Sequence, residues 1–157
     1  MLINDVCDLL SEKKVPYAIV GGYAVALHGA VRGTFDIDFV TKWSLSNLKK
    51  IEAVMNSLGL ESHLPISAED VFHFRDEYIN NRNLIAWQFI DVNRPDRQID
   101  IIISYDLTGK KTKQIKAGNG KLRILSIDDL IEMKKQSGRP QDLEDIAALE
   151  QLKKENR

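Results

Sequence analysis

Phe35-Asp36-Ile37-Asp38-Phe39-Val40-Thr41 is the stretch from which the rest of the chain can be read. Large apolar residues alternate with acids, the period-two signature of a strand. Residues i and i+2 of a strand share a face, ~6.5–7 Å apart along the chain. Asp36 and Asp38 therefore point one way, while Phe35, Ile37 and Phe39 point the other way, into a core. Two neighbouring carboxylates repel each other. A hard divalent cation such as Mg²⁺ neutralises such a pair, using one or two carboxylates together with substrate phosphates. A solvated strand face is the bland alternative, and the motif by itself does not decide.

Upstream, Tyr17–Val20 is a short apolar run closed by Gly21-Gly22. It reads as a buried strand, a tight turn and then a short helix over Tyr23–His28. Glycine lets backbone N–H groups approach a ligand closely, and a helix N-terminus beyond it favours anions. A triphosphate suits this turn, and so does no ligand at all. The run is neither a P-loop nor a dinucleotide-binding fingerprint. Before it, Leu2, Ile3, Val6, Leu9 and Leu10 predict an amphipathic helix over residues 2–13, ended by Pro16.

Downstream, Ser44 or Ser46 caps a predicted helix over residues 45–58. Residues 59–83 read as irregular and polar, with room for a short helix near Ser67–Phe72. Leu84–Asp91 and Arg97–Ser104 predict a hairpin about Asn93-Arg94-Pro95-Asp96. Trp87 and Phe89 read as core. Ile99–Ile103 is almost wholly apolar, which predicts a central strand covered on both faces. Asp100 interrupts it, and an unpaired acid in a buried strand is costly. Either it has a cationic partner or its end of the strand opens into a site. If this strand lies beside the first, three carboxylates converge, enough to hold two metals ~3.5–4 Å apart in phosphoryl chemistry.

Residues 109–120 form a polar connection with room for a short strand, followed by a strand over Leu122–Leu125. Lys110, Lys111, Lys113, Lys116, Lys121 and Arg123 make this region basic, either as a solvated hairpin or as a patch for nucleic-acid or nucleotide phosphates. Ser126-Ile127-Asp128-Asp129 starts a helix, and Gly138-Arg139-Pro140 breaks it. Gln141 or Asp142 opens the last helix, with Leu143, Ile146, Leu149 and Leu152 inward. The order of elements predicts an α+β fold, one domain over 1–157 with a mixed sheet flanked by helices.

At 157 residues the chain is long enough for one real core. Its 22 basic and 23 acidic residues leave a net charge of −1, so it is no basic nucleic-acid coat protein. Cys7 is the only cysteine, which excludes an internal disulfide and a Cys-rich zinc site. His28, His63 and His73 lack metal-ligand spacing. No signal peptide or apolar run of membrane-spanning length is present, so a cytoplasmic protein without membrane contact is expected.

Taken together, Val20-Gly21-Gly22, thirteen residues, Asp36-Ile37-Asp38-Phe39 and a later Ile99-Asp100-Ile101 resemble the signature of the DNA polymerase β-like nucleotidyltransferase superfamily. That signature is hG[GS], Dh[DE]h and h[DE]h, in this order, and it spans residues 17–103. The run Arg32-Gly33-Thr34-Phe35-Asp36-Ile37-Asp38-Phe39 also resembles the form seen in bacterial minimal and toxin-type members. More loosely, Met133-Lys134, Gly138-Arg139, Asp142 and Asp145 resemble motifs of the AbiEii-like toxin nucleotidyltransferases.

The resemblance implies a magnesium-dependent transfer of a nucleoside monophosphate from an NTP such as ATP to an acceptor hydroxyl, with pyrophosphate released. Asp36, Asp38 and Asp100 are then the catalytic and metal-binding acids, for two Mg²⁺ ions. Gly21 and Gly22 cradle the β- and γ-phosphates. Arg32, Thr34 and Lys134 complete the nucleotide-binding set. The serine that many members use in the first motif is Gly22 here. Only two helices follow residue 126, leaving no room for the separate substrate-binding helical domain of larger members. The acceptor, whether RNA, a protein or a small molecule, must then be recognised by loops, a homodimer or an antitoxin partner.

Bland alternatives stand beside these roles. Lys134 can be a snorkelling surface lysine, Asp142 and Asp145 can favour a helix N-terminus, and Arg139 can pair with either. A non-catalytic binding module or toxin–antitoxin component is the competing function, and a metal-dependent phosphohydrolase ranks last.

Overall fold

The computed structural model describes residues 1–30 and 36–156. Arg32, Thr34 and Phe35 of the sequence reading lie outside the described residues. In chain order the helices are α1 (Leu2–Glu12), α2 (Gly21–Leu27), α3 (Leu45–Ser57), α4 (Ala68–His73), α5 (Arg75–Arg82), α6 (Ile127–Ser137) and α7 (Pro140–Glu155). The strands are β1 (Tyr17–Val20), β2 (Ile37–Thr41), β3 (Glu61–Ser62), β4 (Ala86–Asp91), β5 (Arg94–Ile102), β6 (Thr112–Ala117) and β7 (Gly120–Leu125). They form one mixed sheet in the order β3-β4-β5-β2-β1-β7-β6. The expected α+β class holds. Among the described residues, no helix is long and apolar enough to cross a membrane.

Local chemistry sets most boundaries. Ser44, not Ser46, caps α3 by accepting from Asn47 N at 3.1 Å. Ser126 accepts from Asp129 N and so starts α6, and Gly138 ends it in the left-handed conformation (φ +65°). Pro140 then occupies the first turn of α7, where a missing N–H costs nothing. The last helix thus opens one or two residues before the predicted start.

Several expectations need correction. The β4–β5 hairpin turns at Val92-Asn93, and Arg94, Pro95 and Asp96 belong to β5. Asp91 holds this turn by accepting from Asn93 N at 3.0 Å, while Arg97 pairs with it at 2.9 Å. The "irregular" segment contains a second helix, α5, which buries no residue and so shows no apolar stripe in sequence. Leu143 is 61% exposed rather than inward, because Asp142 and Asp145 take the inner face of α7 at that turn.

The core lies mainly on one side of the sheet. There Phe39, Trp87, Phe89, Ile99 and Ile101 are buried, and the ring centroids of Trp87 and Phe89 stand 4.5 Å apart. Trp87 and Phe89 are core residues, as expected. The other side is uneven. Around β1 both faces are covered. Over β4 and β5, however, Ala86, Gln88, Asp100 and Ile102 are only half-buried, in strict alternation with buried neighbours. β5 is therefore fully buried on one face and only half-buried on the other, where the reading of Ile99–Ile103 expected cover on both. Its apolar alternate residues reflect a wall of a cavity, not a second core.

Candidate active site

β1 and β2 pair antiparallel, with Val20 opposite Asp38. β2 and β5 pair parallel, with Asp38 opposite Asp100 and Ile37 opposite Ile99. Paired residues of neighbouring strands point to the same face, so Asp38 and Asp100 stand side by side on the half-open face. Sixty-two residues separate them in sequence, and only the parallel pairing brings them together. Asp36 precedes β2, is exposed, and accepts from Gln98 Nε2 at 2.9 Å. Gln98 Oε1 in turn accepts from Gln88 Nε2 at 3.2 Å. Neither glutamine belongs to a motif that the sequence singles out. Their signal is parity: each alternates with buried apolar residues in phase with Asp100.

The electrostatics are those of a like-charged pair in a partly buried place. Burial pushes the Asp38 carboxyl up to about 7, and the charges of Asp100 and Asp36 add to the rise. Burial and Asp36 also raise Asp100, against hydrogen bonds with Asp38 and Gln88. Like carboxylates this close cannot both ionise at low cost. Asp100 Oδ1 is buried and has no hydrogen-bond partner among the described residues. A buried orphan oxygen is expensive, and a cation is the partner that its chemistry asks for.

Gly21 is positioned for close approach. It has φ +69°, and a Cβ built there would run into Asp38 Oδ2. Only glycine both adopts this backbone and leaves the carboxylate room. Gly21 and Asp38 line one cavity of about 350 Å³ together with Lys134, Arg139 and Asp142. Its far wall is formed by Ile85, Ile102, Tyr105, Leu130 and Met133.

Lys134 is buried rather than snorkelling. Its Nζ lies 2.9 Å from Asp145 and 3.5 Å from Asp142. Arg139 pairs with Asp142 at 3.0 Å, its own side chain 72% exposed. Burial raises the Asp142 carboxyl, but hydrogen bonds from Arg139 and Ser137 outweigh this and hold it below the usual range. Lys134, Arg139, Asp142 and Asp145 of the looser resemblance thus meet in one clasp between α6 and α7.

Among the described residues, no three His, Cys, Asp or Glu side chains close around one point as a preformed metal cage. What Asp38 and Asp100 offer fits a cation that arrives with phosphate oxygens, since Mg²⁺ is usually bound by one or two carboxylates plus substrate. Asp36 stands at the rim of this pair. The basic hairpin β6–β7 lies at the far edge of the sheet, with Lys113, Lys116 and Lys121 exposed. His28 Nε2 lies 2.8 Å from Leu125 O, in a structural contact.

The mixed sheet, with Asp38 and Asp100 side by side on β2 and β5, has a nucleotidyltransferase-like fold. The chain belongs to the family described as nucleotidyltransferase of unknown function (DUF6036), whose model matches residues 1–155. None of the curated proteins matches this sequence. Among solved structures it is similar to the antibiotic-resistance factor ANT(2'')-Ia, with a TM-score of 0.59 and 16% identity over 94% of this chain and 80% of that one. It is also similar to the lincosamide antibiotic adenylyltransferase LnuA with lincomycin bound, with a TM-score of 0.56 and 18% identity over 92% of each chain. An antigenic nucleotidyltransferase-like protein from Paracoccidioides brasiliensis gives a TM-score of 0.59 and 16% identity over 94% of this chain and 73% of that one. At these identities the likeness is one of fold.

Proposed function

We propose that this nucleotidyltransferase moves a nucleoside monophosphate from a magnesium-bound NTP, such as ATP, to an acceptor hydroxyl. The observation that carries the reading is the register of Asp38 and Asp100 across β2 and β5, with Gly21 against Asp38. Bound Mg²⁺ supplies charge neutralisation and polarisation of the triphosphate, at Asp38 and Asp100 with Asp36 at the rim.

The chain's own residues do the rest. Gly21 and Gly22 give the β- and γ-phosphates backbone to lie against. Arg139, exposed at the cavity's mouth, and Lys134 within it offset phosphate charge; Arg32 and Thr34 belong to the same proposed set. Asp100 accepts the acceptor's proton as the hydroxyl oxygen bonds to the α-phosphorus. The bond between that phosphorus and the oxygen bridging to the β-phosphate breaks, and pyrophosphate leaves with the electron pair. Transfer of this kind needs positioning and charge neutralisation more than covalent chemistry.

Calorimetry with NTPs, with and without Mg²⁺, tests the site. Binding should require the metal and should be lost in Asp100→Asn. Metal-independent binding, or binding unaffected by that substitution, would refute the assignment. Pyrophosphate release with candidate acceptors then separates transfer from a binding module, which predicts Mg–NTP binding and no pyrophosphate.

A further inference from the structure

Asp38 and Asp100 are neighbours, yet they border different cavities. Asp38 lines the one with Gly21, Lys134 and Arg139. Asp100 lines a second, of about 270 Å³, with His63, Leu64, Leu84, Ala86 and Gln88. The sheet register explains this. Gln88 pairs with Asp100, and His63 N donates to Gln88 O at 2.9 Å. His63, Gln88, Asp100 and Asp38 therefore form one polar row across the half-open side of the sheet.

We propose that the acceptor enters this second cavity and reaches Asp100 from the side opposite the triphosphate. The acceptor is a phosphate-free, hydroxyl-bearing ring about the size of one sugar, and His63 and Gln88 hold it. This rests on the nucleotidyl-transfer reading above, and the bonds made and broken are the same.

The chemistry of the two cavities divides the labour. The first contains a lysine and an arginine, as a triphosphate requires. Among the described residues the second has no lysine or arginine in its lining, so the phosphates of an RNA acceptor would meet no counter-charge from them. Its polar groups are an imidazole, an amide and a carboxylate, all suited to hydroxyls. Leu64, 42% exposed, and Leu84 supply an apolar flank for the face of a ring. The volume falls just under the roughly 300–1,000 Å³ of sites for drug-sized ligands, which favours one ring. Gln88 is also held by Gln98, so its amide is fixed before the acceptor arrives.

NMR on the full chain with Mg²⁺ and α,β-methylene ATP tests this. myo-Inositol and methyl α-glucoside are the ring probes, and a short RNA oligonucleotide is the competitor. The rings should move the His63 imidazole and Gln88 side-chain amide resonances. Their affinity should fall at least fivefold in His63→Ala and in Leu64→Trp, the second filling the cavity from its exposed rim. Affinity for the nucleotide should change less than twofold. The inference is overturned if neither ring moves those resonances, if RNA moves them instead, or if both variants lose nucleotide as strongly as they lose the ring. Wild-type protein that binds no Mg–nucleotide would instead defeat the nucleotidyl-transfer reading itself.

Discussion

Two groups of aspartates each place one member on the same cavity, Asp142 and Asp38, and have opposite fates. Asp142 and Asp145 are buried against Lys134, and Asp142 also against Arg139. Asp38 and Asp100 face each other, with Asp36 adding more negative charge. One group is neutralised from within the chain and fastens α6 to α7. The other, on β2 and β5, has only the more distant charge of Lys134 acting on Asp38, which does not offset its burial and the like charges beside it. A carboxylate is glue where the fold supplies its cation and a site where it does not. A buried pair broken on one side leaves a stranded charge, whereas a like-charged pair is relieved by losing a member.

That contrast can be broken most sharply at Asp38. Asp38→Asn should reduce nucleotidyl transfer by at least ~10³-fold, measured as pyrophosphate release, because it removes charge stabilisation at the reacting centre. Next in size, Lys134→Met should cost about 3–5 kcal/mol in denaturant unfolding, since it leaves two buried carboxylates without their ammonium. Equal stability in that variant would show that the clasp contributes nothing. Gly21→Ala forces a Cβ into Asp38 Oδ2 at a positive φ, so NTP affinity should fall and stability should drop by about 1–3 kcal/mol.

The subtler test is the sign of the stability change at Asp38. Its folded carboxyl titrates near 7, above its unfolded value of 3.8. The folded state therefore binds the extra proton between these values, and this contribution is lost as pH rises through about 7. Melting without Mg²⁺ should be a few degrees lower at pH 8.5 than at pH 5.5, and Asp38→Asn should flatten that difference. A variant that loses activity while gaining stability at pH 8.5 is the expected mark of a functional acid. At the small end, Lys49→Ala breaks the exposed pair with Glu69 and should change stability by under ~0.5 kcal/mol.

Much of this was legible because some signals are local. The Asp36-Ile37-Asp38 alternation, the glycine turn after Tyr17–Val20, and the caps at Ser44 and Ser126 each act within a few residues. What stayed hidden depends on distant partners. α5 buries no residue fully and leans on the core only through Tyr78 and Ile79, too few for a stripe to detect. Ile102 looks like core in sequence, yet it is only half-buried and lines the cavity with Leu130 and Met133 of α6. The burial of Lys134 follows from α7 bringing Asp142 and Asp145 onto α6, and that depends on the turn at Gly138. The exposure of Leu143 has the same origin.

The parallel pairing of β2 with β5 has a consequence for when the chemistry becomes available. The β4–β5 hairpin can form from nearby residues alone, but docking it on β2 must close a loop of some sixty residues, a step whose entropic cost slows folding. A nascent or partly opened chain in which that seam has parted would carry every acid and be unable to grip a nucleotide. Nucleotide and metal, bridging the seam, would then act as a latch on its own docking, and their presence should suppress hydrogen exchange at Asp100 more than at β6 on the outer edge.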